Sequence, residues 1–374
     1  MELKLLQFIK DNPMTWRDIL SKKPYCVEIK EDGDYILLKY NQIESDFNNI
    51  IVRECRGIIL RKDNYKVVCF PFVKFGNYGE GYCPNMDWNS ARVLEKVDGS
   101  IIKIFYDQNN WNISTNGTIN AFKATCSNGE SFGQLFEEII EMKVNEWCNK
   151  LELNKDFTYM FEMTHPLTKI VISYPPGIYH IGTRDNITYA EMDIDINVKK
   201  PKEYSFNGID KLVETCKTLP YSEEGYVVVD KHWNRVKVKS PAYVAVHHLK
   251  NNGVVSAKRL LVLVMQGETV EFKTYFPELS KYVDKVEHAW YNFIVKVKED
   301  IEKIKVLKFE TRKDYAIRVK GLLCSGFYFM VYDNKYSWDQ IDLYLKSLRV
   351  DAIATMLKLK DEVTEKYIKG ESEE

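Results

Sequence analysis

The chain has 374 residues, 45% of them hydrophobic and 29% charged, and its Lys+Arg 53 against Asp+Glu 54 leave a net charge of −1. That length suffices for two domains and that apolar content for a sizeable core, so wholesale disorder is excluded. A near-zero net charge excludes a protein that coats nucleic acid through its overall field; any polyanion must be held by local clusters of cations.

The amino terminus, Met1-Glu2-Leu3-Lys4, lacks the layout of a signal peptide, and apolar runs such as Leu260–Met265 are too short to span a bilayer. A soluble, cytoplasmic protein with no membrane partner is expected. From about Tyr35 to Tyr243 the chain is rich in short β-type runs: YILLKY, GIILR, YKVVCF, SIIKIFY, FTYMFEM, KIVISY, YVVVD and RVKVKS. Several alternate apolar with polar residues at period two, as half-buried antiparallel strands do. Two helical stretches interrupt them, SFGQLFEEIIEMKVNEWCNKL and IDKLVETCKTL, which suggests an α+β fold. After about His248 the period changes: Tyr282, Val286, Trp290, Phe293, Val297, Ile301 and Ile304 recur at helical spacing. Ser337-Trp-Asp-Gln340 reads as a capping box opening a further helix. Residues 1–248 and 249–374 are therefore expected to be two domains, the second mostly helical, ending in a loose acidic KGESEE tail. The eight cysteines, from Cys26 to Cys324, form no CxxC pair and read as free thiols. The adjacent His247-His248 reads as a strand-to-helix junction, and the lysines from Lys296 to Lys308 as a solvated helix face or an RNA-contacting one.

The stretch Glu95-Lys96-Val97-Asp98-Gly99-Ser100 lies between two strand-like runs. It is either a polar hairpin turn or the seat of a nucleophilic lysine, with Asp98 to orient the amine and Gly99 to admit a phosphorylated substrate closely. Downstream, Glu162 and Glu224 sit in apolar strand runs, where a buried carboxylate needs a hydrated metal or a sugar hydroxyl. Lys237 and Lys239, two residues apart on a strand, point the same way and call for an anion or solvent.

Lys-x-Asp-Gly, Phe-Glu, Glu-Gly-Tyr-Val and Lys-x-Lys, in this order, resemble the covalent nucleotidyltransferases: DNA ligases, RNA ligases and mRNA capping enzymes. The flanks ECRGIIL, PFVKFGNYGE, FEMTHPLTKIVISY, EEGYVVVDKHWNRVKVKSPAY and TRKDYAIRVKG are similar to the phage-type RNA ligase 1 family. The resemblance implies an antiparallel-sheet, ATP-grasp-like adenylyltransferase domain, with the helical domain serving RNA specificity. It implies an ATP-dependent RNA ligase using Mg²⁺ or Mn²⁺: Lys96 takes AMP from ATP, passes it to an RNA 5′-phosphate, and a 3′-hydroxyl displaces it. By the same resemblance Tyr40, Arg56 and Lys74 hold the triphosphate, Lys237 and Lys239 the α-phosphate, and Glu162 and Glu224 the hydrated metal. Ile181 and Val227 would flank adenine. Broken RNA such as nicked tRNA, an end-healing kinase-phosphatase partner, a monomeric state and a viral source belong to the same set of implications. Asn116 departs from the pattern, standing where the family often carries lysine or arginine. A GTP-dependent capping enzyme and a non-catalytic RNA-binding module are the alternatives; the first calls for a β-barrel after Lys-x-Lys, where this chain has helical periodicity.

Overall fold

Period-two patterning resolves into antiparallel strands throughout the first half of the computed structural model, which describes residues 3–42, 44–126, 129–249, 254–348, 350–359 and 364–366. The expected tail at 369–374 lies outside the described residues. The chain divides into two compact units, residues 1–247 and 248–374.

In the first unit, one sheet runs in the order β1 (Val27–Asp32), β2 (Tyr35–Tyr40), β3 (Arg56–Arg61), β4 (Val67–Cys69). A second runs β10 (Glu191–Met192), β9 (Gly177–Asp185), β8 (Phe157–Thr164), β6 (Ser100–Asp107), β7 (Asn110–Thr115). A third runs β11 (Glu203–Tyr204), β5 (Arg92–Glu95), β12 (Gly225–Val229), β13 (Arg235–Lys239). Helices α1 (Lys4–Asp11) and α2 (Trp16–Ser21) lay Leu5, Ile9, Trp16 and Leu20 against Ile36, Leu38, Ile58 and Leu60 of the first sheet. The alternate residues Leu37, Ile59, Val68 and Cys69 pack on Phe105 of the second, so the first sheet is buried on both faces. The second sheet's far face, including Ile102, Ile104 and Phe161, packs on α4 (Phe132–Ile140) and α5 (Val144–Lys150). The remaining helices of this unit are α3 (Ile50–Glu54) and α6 (Ile209–Thr218), and α7 (Pro241–Leu249) begins in it.

Two sheets packed face to face are joined here by polar contacts as well. The Thr158 hydroxyl accepts from the Phe70 amide (3.0 Å) and donates to Asn186 Oδ1 (2.7 Å), and Asn186 Nδ2 donates to the Val68 carbonyl (3.0 Å). Each buried polar group in this ring is satisfied by another member, so the sheets hold one register.

Three expectations are corrected. SFGQLFEEIIEMKVNEWCNKL is two helices, because Glu141 takes a left-handed conformation (φ 55°) and Glu137 accepts from the Val144 amide that starts α5. KIVISY is not a strand: the Val171 and Ile172 amides donate to the Asp98 carboxylate (3.0 and 2.8 Å) rather than to a neighbouring strand. His247 lies inside α7, stacked on Tyr243, not at a strand-to-helix junction.

The second unit holds α8 (Ala257–Gln266), α9 (Thr269–Tyr275), α10 (Ser280–Lys305), α11 (Arg312–Val319), α12 (Ser325–Tyr332), α13 (Ile341–Ser347) and α14 (Val350–Met356). A two-residue strand, β14 (Val254–Val255), pairs with β15 (Thr364–Lys366). The stripe Phe293, Val297, Ile301 and Ile304 of α10 is buried against Tyr315, Phe327 and Tyr344. At Ser337 the expected capping box is present, with the Gln340 side chain accepting from the Ser337 amide (2.8 Å). All eight cysteines are free thiols. Among the described residues, no helix is long and apolar enough to cross a membrane.

Thr158→Val keeps the shape of the side chain but strands the Phe70 amide and Asn186. The expected loss is about 1–3 kcal/mol, read as a lower urea midpoint with unchanged slope.

Candidate active site

The loop after β5 is fixed by its neighbours rather than by its own turn. The Lys96 amide donates to the Gly225 carbonyl (2.9 Å), which carries the β5–β12 ladder one residue further. Asp98 is 4% exposed and accepts from the Val171 and Ile172 amides and from the Tyr243 hydroxyl (2.8 Å). Its carboxylate therefore ties the loop to two distant segments. The acid that holds the Lys96 amine is Glu224, with Nζ 2.8 Å from Oε1, so the orienting role expected of Asp98 falls to Glu224.

Both glycines of the paired motifs are required by close approach. A Cβ on Gly99 would lie 2.5 Å from the Met163 carbonyl oxygen and 3.1 Å from Glu162 Cγ, so glycine here brings β6 onto β8 rather than admitting substrate. Gly225 has φ +128°, and a Cβ there would collide with the Val238 carbonyl oxygen. The two residues thereby set Glu162 and Glu224 beside Lys96.

Charges converge at this point. Lys239 Nζ lies 3.6 Å from Glu224 Oε1. Burial pushes the Glu162 carboxyl up to about 7; Lys96 and Arg56 act against the shift, while Glu224 and Asp98 add to it. Glu224 Oε2 is buried with no hydrogen-bond partner. Two carboxylates, one orphaned at an oxygen and one raised in pKa, fit a hydrated divalent cation held through its waters. Among the described residues no group of three or more His, Cys, Asp or Glu could enclose a metal by protein ligands alone.

The other expected residues form a second cluster. Lys74 sits over the rings of Tyr40 and Phe47 (5.2 and 4.7 Å). Arg56 and Lys237 both lie over Phe75 (5.3 and 5.8 Å), and one Arg56 Nη is buried without a partner. Val227 pairs with Lys237 in register. Ile181 falls in the β9 bulge opposite Met160 and Phe161 and takes no part in the ion pairs around Lys96. Phe75 and Tyr243 were not singled out from sequence, although each lies within or at the end of a quoted motif.

Lys103 was missed as well. It is fully buried, its Nζ donates to the Gly57 carbonyl, and both it and the Asn116 backbone crowd Gly57: a Cβ there would lie 2.9 Å from Asn116 Cα and 3.0 Å from Lys103 Nζ. A cation thus stands beside the position where Asn116 lacks one, supplied by the adjacent strand. Burial pushes the Lys103 amine down to about 8; Cys69 opposes this and Arg56 adds to it.

A model of the RNA ligase family, of the T4 RNA ligase 1 type, matches residues 54–243, a little over half of the chain. The chain belongs to the RNA ligase family. It is 31% identical over 282 residues to a candidate bifunctional polynucleotide kinase/RNA ligase of Autographa californica nuclear polyhedrosis virus, covering 69% of this chain and 40% of that protein. It is 26% identical over 312 residues to an RNA ligase of Rhodothermus phage RM378, covering 65% of this chain and 70% of that one. This RNA ligase family member thus spans only two fifths of the first relative's length. Among solved structures, an archaeal ATP-dependent RNA ligase aligns with TM-score 0.44 and 12% identity over 92% of this chain and 99% of that one.

The sign of the Lys103 effect is set by its lowered pKa. Between about 8 and 10.5 the unfolded chain binds a proton at this lysine that the folded one does not, so the contribution of Lys103 to stability rises across that window, against the opposite contribution of the buried cysteines, whose pKa values are raised. Lys103→Met lacks this contribution, so its urea midpoint should fall relative to that of the wild type between pH 7.5 and 9.5.

Proposed function

We propose that the protein is an ATP-dependent RNA ligase that joins 5′-phosphate and 3′-hydroxyl ends through a lysyl-AMP intermediate. One observation carries the reading: motifs spread over more than 100 residues of sequence bring Lys96, Glu162, Glu224 and Lys239 to one point. Glu224 aims the Lys96 amine and accepts its proton as Nζ bonds to the α-phosphorus of ATP and pyrophosphate leaves. Lys237 and Lys239 face the α-phosphate, and Tyr40, Arg56 and Lys74 take the outer phosphates as donors in a cluster with few competing carboxylates. A divalent cation held by Glu162 and Glu224 would offset phosphate charge. AMP then passes to the RNA 5′-phosphate, and a 3′-hydroxyl displaces it to close the phosphodiester.

Broken RNA, nicked tRNA included, is the substrate class. The polynucleotide kinase in the name of the nuclear polyhedrosis virus relative supports pairing with an end-healing activity. The capping alternative draws no support, because the described residues that follow Lys-x-Lys are mostly helical rather than a β-barrel.

Incubation with Mg²⁺ and α-labelled ATP should leave label on the denatured polypeptide, with none from α-labelled GTP and none in Lys96→Ala. Label from GTP alone would move the protein to capping chemistry, and label retained in Lys96→Ala would reject the nucleophile.

Gly99→Ala must push β6 from β8 and displace Lys96 from Glu162. Labelling should fall about 100-fold, the usual scale for an ångström-sized misplacement, while thermal unfolding stays cooperative. Unimpaired labelling would show that the close approach is not needed.

A further inference from the structure

A cavity of about 550 Å³ in the first unit opens beside Lys74 and Phe75, and its charge is unbalanced. Four cations line it, Arg53, Lys74, Arg184 and Arg235, against one carboxylate, Glu191. Glu191 is shared: each of its oxygens takes one guanidinium, from Arg184 and Arg235, whose side chains are 4% and 9% exposed. Arg53 and Lys74 have no carboxylate partner among the described residues, and Arg53 Nε and Arg184 Nε are buried without an acceptor. Glu54 lies near Arg184, but its oxygens accept from the Lys4 and Leu5 amides. Surplus positive charge in a partly desolvated cavity favours an anion.

The walls add planar rings. Tyr82, Tyr189 and Trp233 line the cavity. Trp233 is held at φ +63°, a conformation a bulky residue rarely takes, by a turn in which Asp230 accepts from the His232 and Asn234 amides. The strained turn projects an indole beside Arg235, 5.6 Å from its ring.

Position separates this cavity from the reacting lysine. Arg235, Lys237 and Lys239 share one face of β13, so Arg235 stands four residues, about 13 Å, beyond the Lys239 end where Lys96 sits. That row is longer than a triphosphate, and a triphosphate tail carries no ring to meet Trp233.

We propose that the cavity is a subsite for the RNA strand, holding a backbone phosphate on Arg53 and a base against Trp233, with Lys74 at its border left to ATP. The proposal rests on the ligase reading and specifies where the polynucleotide, as distinct from ATP, is gripped. Phosphate contacts of this kind supply affinity, and an aromatic platform is tolerant of base identity.

The test uses the full chain and a 5′-phosphorylated single-stranded RNA oligonucleotide without ATP, with filter binding over a salt series. Arg53→Ala should weaken binding about 10-fold at low salt and flatten the slope of log K against log salt by about 0.7, the loss of one phosphate contact. Trp233→Asn, whose new residue accepts the left-handed backbone, should weaken binding about 10-fold with the slope unchanged. Both variants should take wild-type label from α-labelled ATP. Wild-type RNA affinity and salt slope in Arg53→Ala overturn the subsite. A loss of label in Arg53→Ala that matches its loss of RNA binding assigns the cavity to the ATP triphosphate instead and also overturns it. Absence of label in the wild type would sink the ligase reading, while the oligonucleotide arm still decides whether the cavity grips RNA.

Discussion

The buried carboxylate of Asp98 is the constraint on which the site depends. It receives two amides from the Val171–Ile172 loop and the hydroxyl of Tyr243 at the start of α7, so three segments separated by 70 residues or more share one anion. Charge-assisted hydrogen bonds of this kind are stronger than neutral ones, and a buried carboxylate with three donors is well compensated. The loop between β5 and β6 therefore needs no turn chemistry of its own. Lys96 is held by structure on either side and keeps only its side chain free to act.

Around that fixed point the protein accumulates charge that it does not neutralise internally. Burial pushes the Glu162 carboxyl up to about 7, Glu224 keeps an oxygen without a partner, and an Arg56 nitrogen lacks an acceptor. A fold selected for stability alone would pair or remove such groups. Here the deficits are of opposite sign, a carboxylate oxygen on Glu224 and a guanidinium nitrogen on Arg56 of β3. A polyphosphate with a divalent cation would complete both.

Sequence made the strand-borne parts of this site legible because each motif is a short string whose charged letters break an apolar run. Lys96, Glu224 and Lys239 were readable in that way, and the structure brings them together. Asp98 was visible, but its partners were not: Val171 and Ile172 lie in a run whose composition says strand, and only the tertiary fold diverts their amides. Lys103 was hidden for a different reason. In SIIKIFY it occupies the polar beat of a period-two pattern, which reads as a solvent face, yet that face packs between two sheets. Helices α1 and α2, of eight and six residues, are too short for periodicity to declare them.

Glu54 gives one structural detail a practical edge. Its carboxylate accepts from the amides of Lys4 and Leu5, at the start of α1, and sits next to Arg53 and two residues before Arg56. The region shared with the family begins at this same residue. A protein trimmed to that shared region would therefore open with a buried acid stripped of both its donors, at the root of the strand that carries Arg56. The boundary of recognisable ancestry and the boundary of a self-sufficient folding unit do not coincide here, and the first helix belongs to the latter.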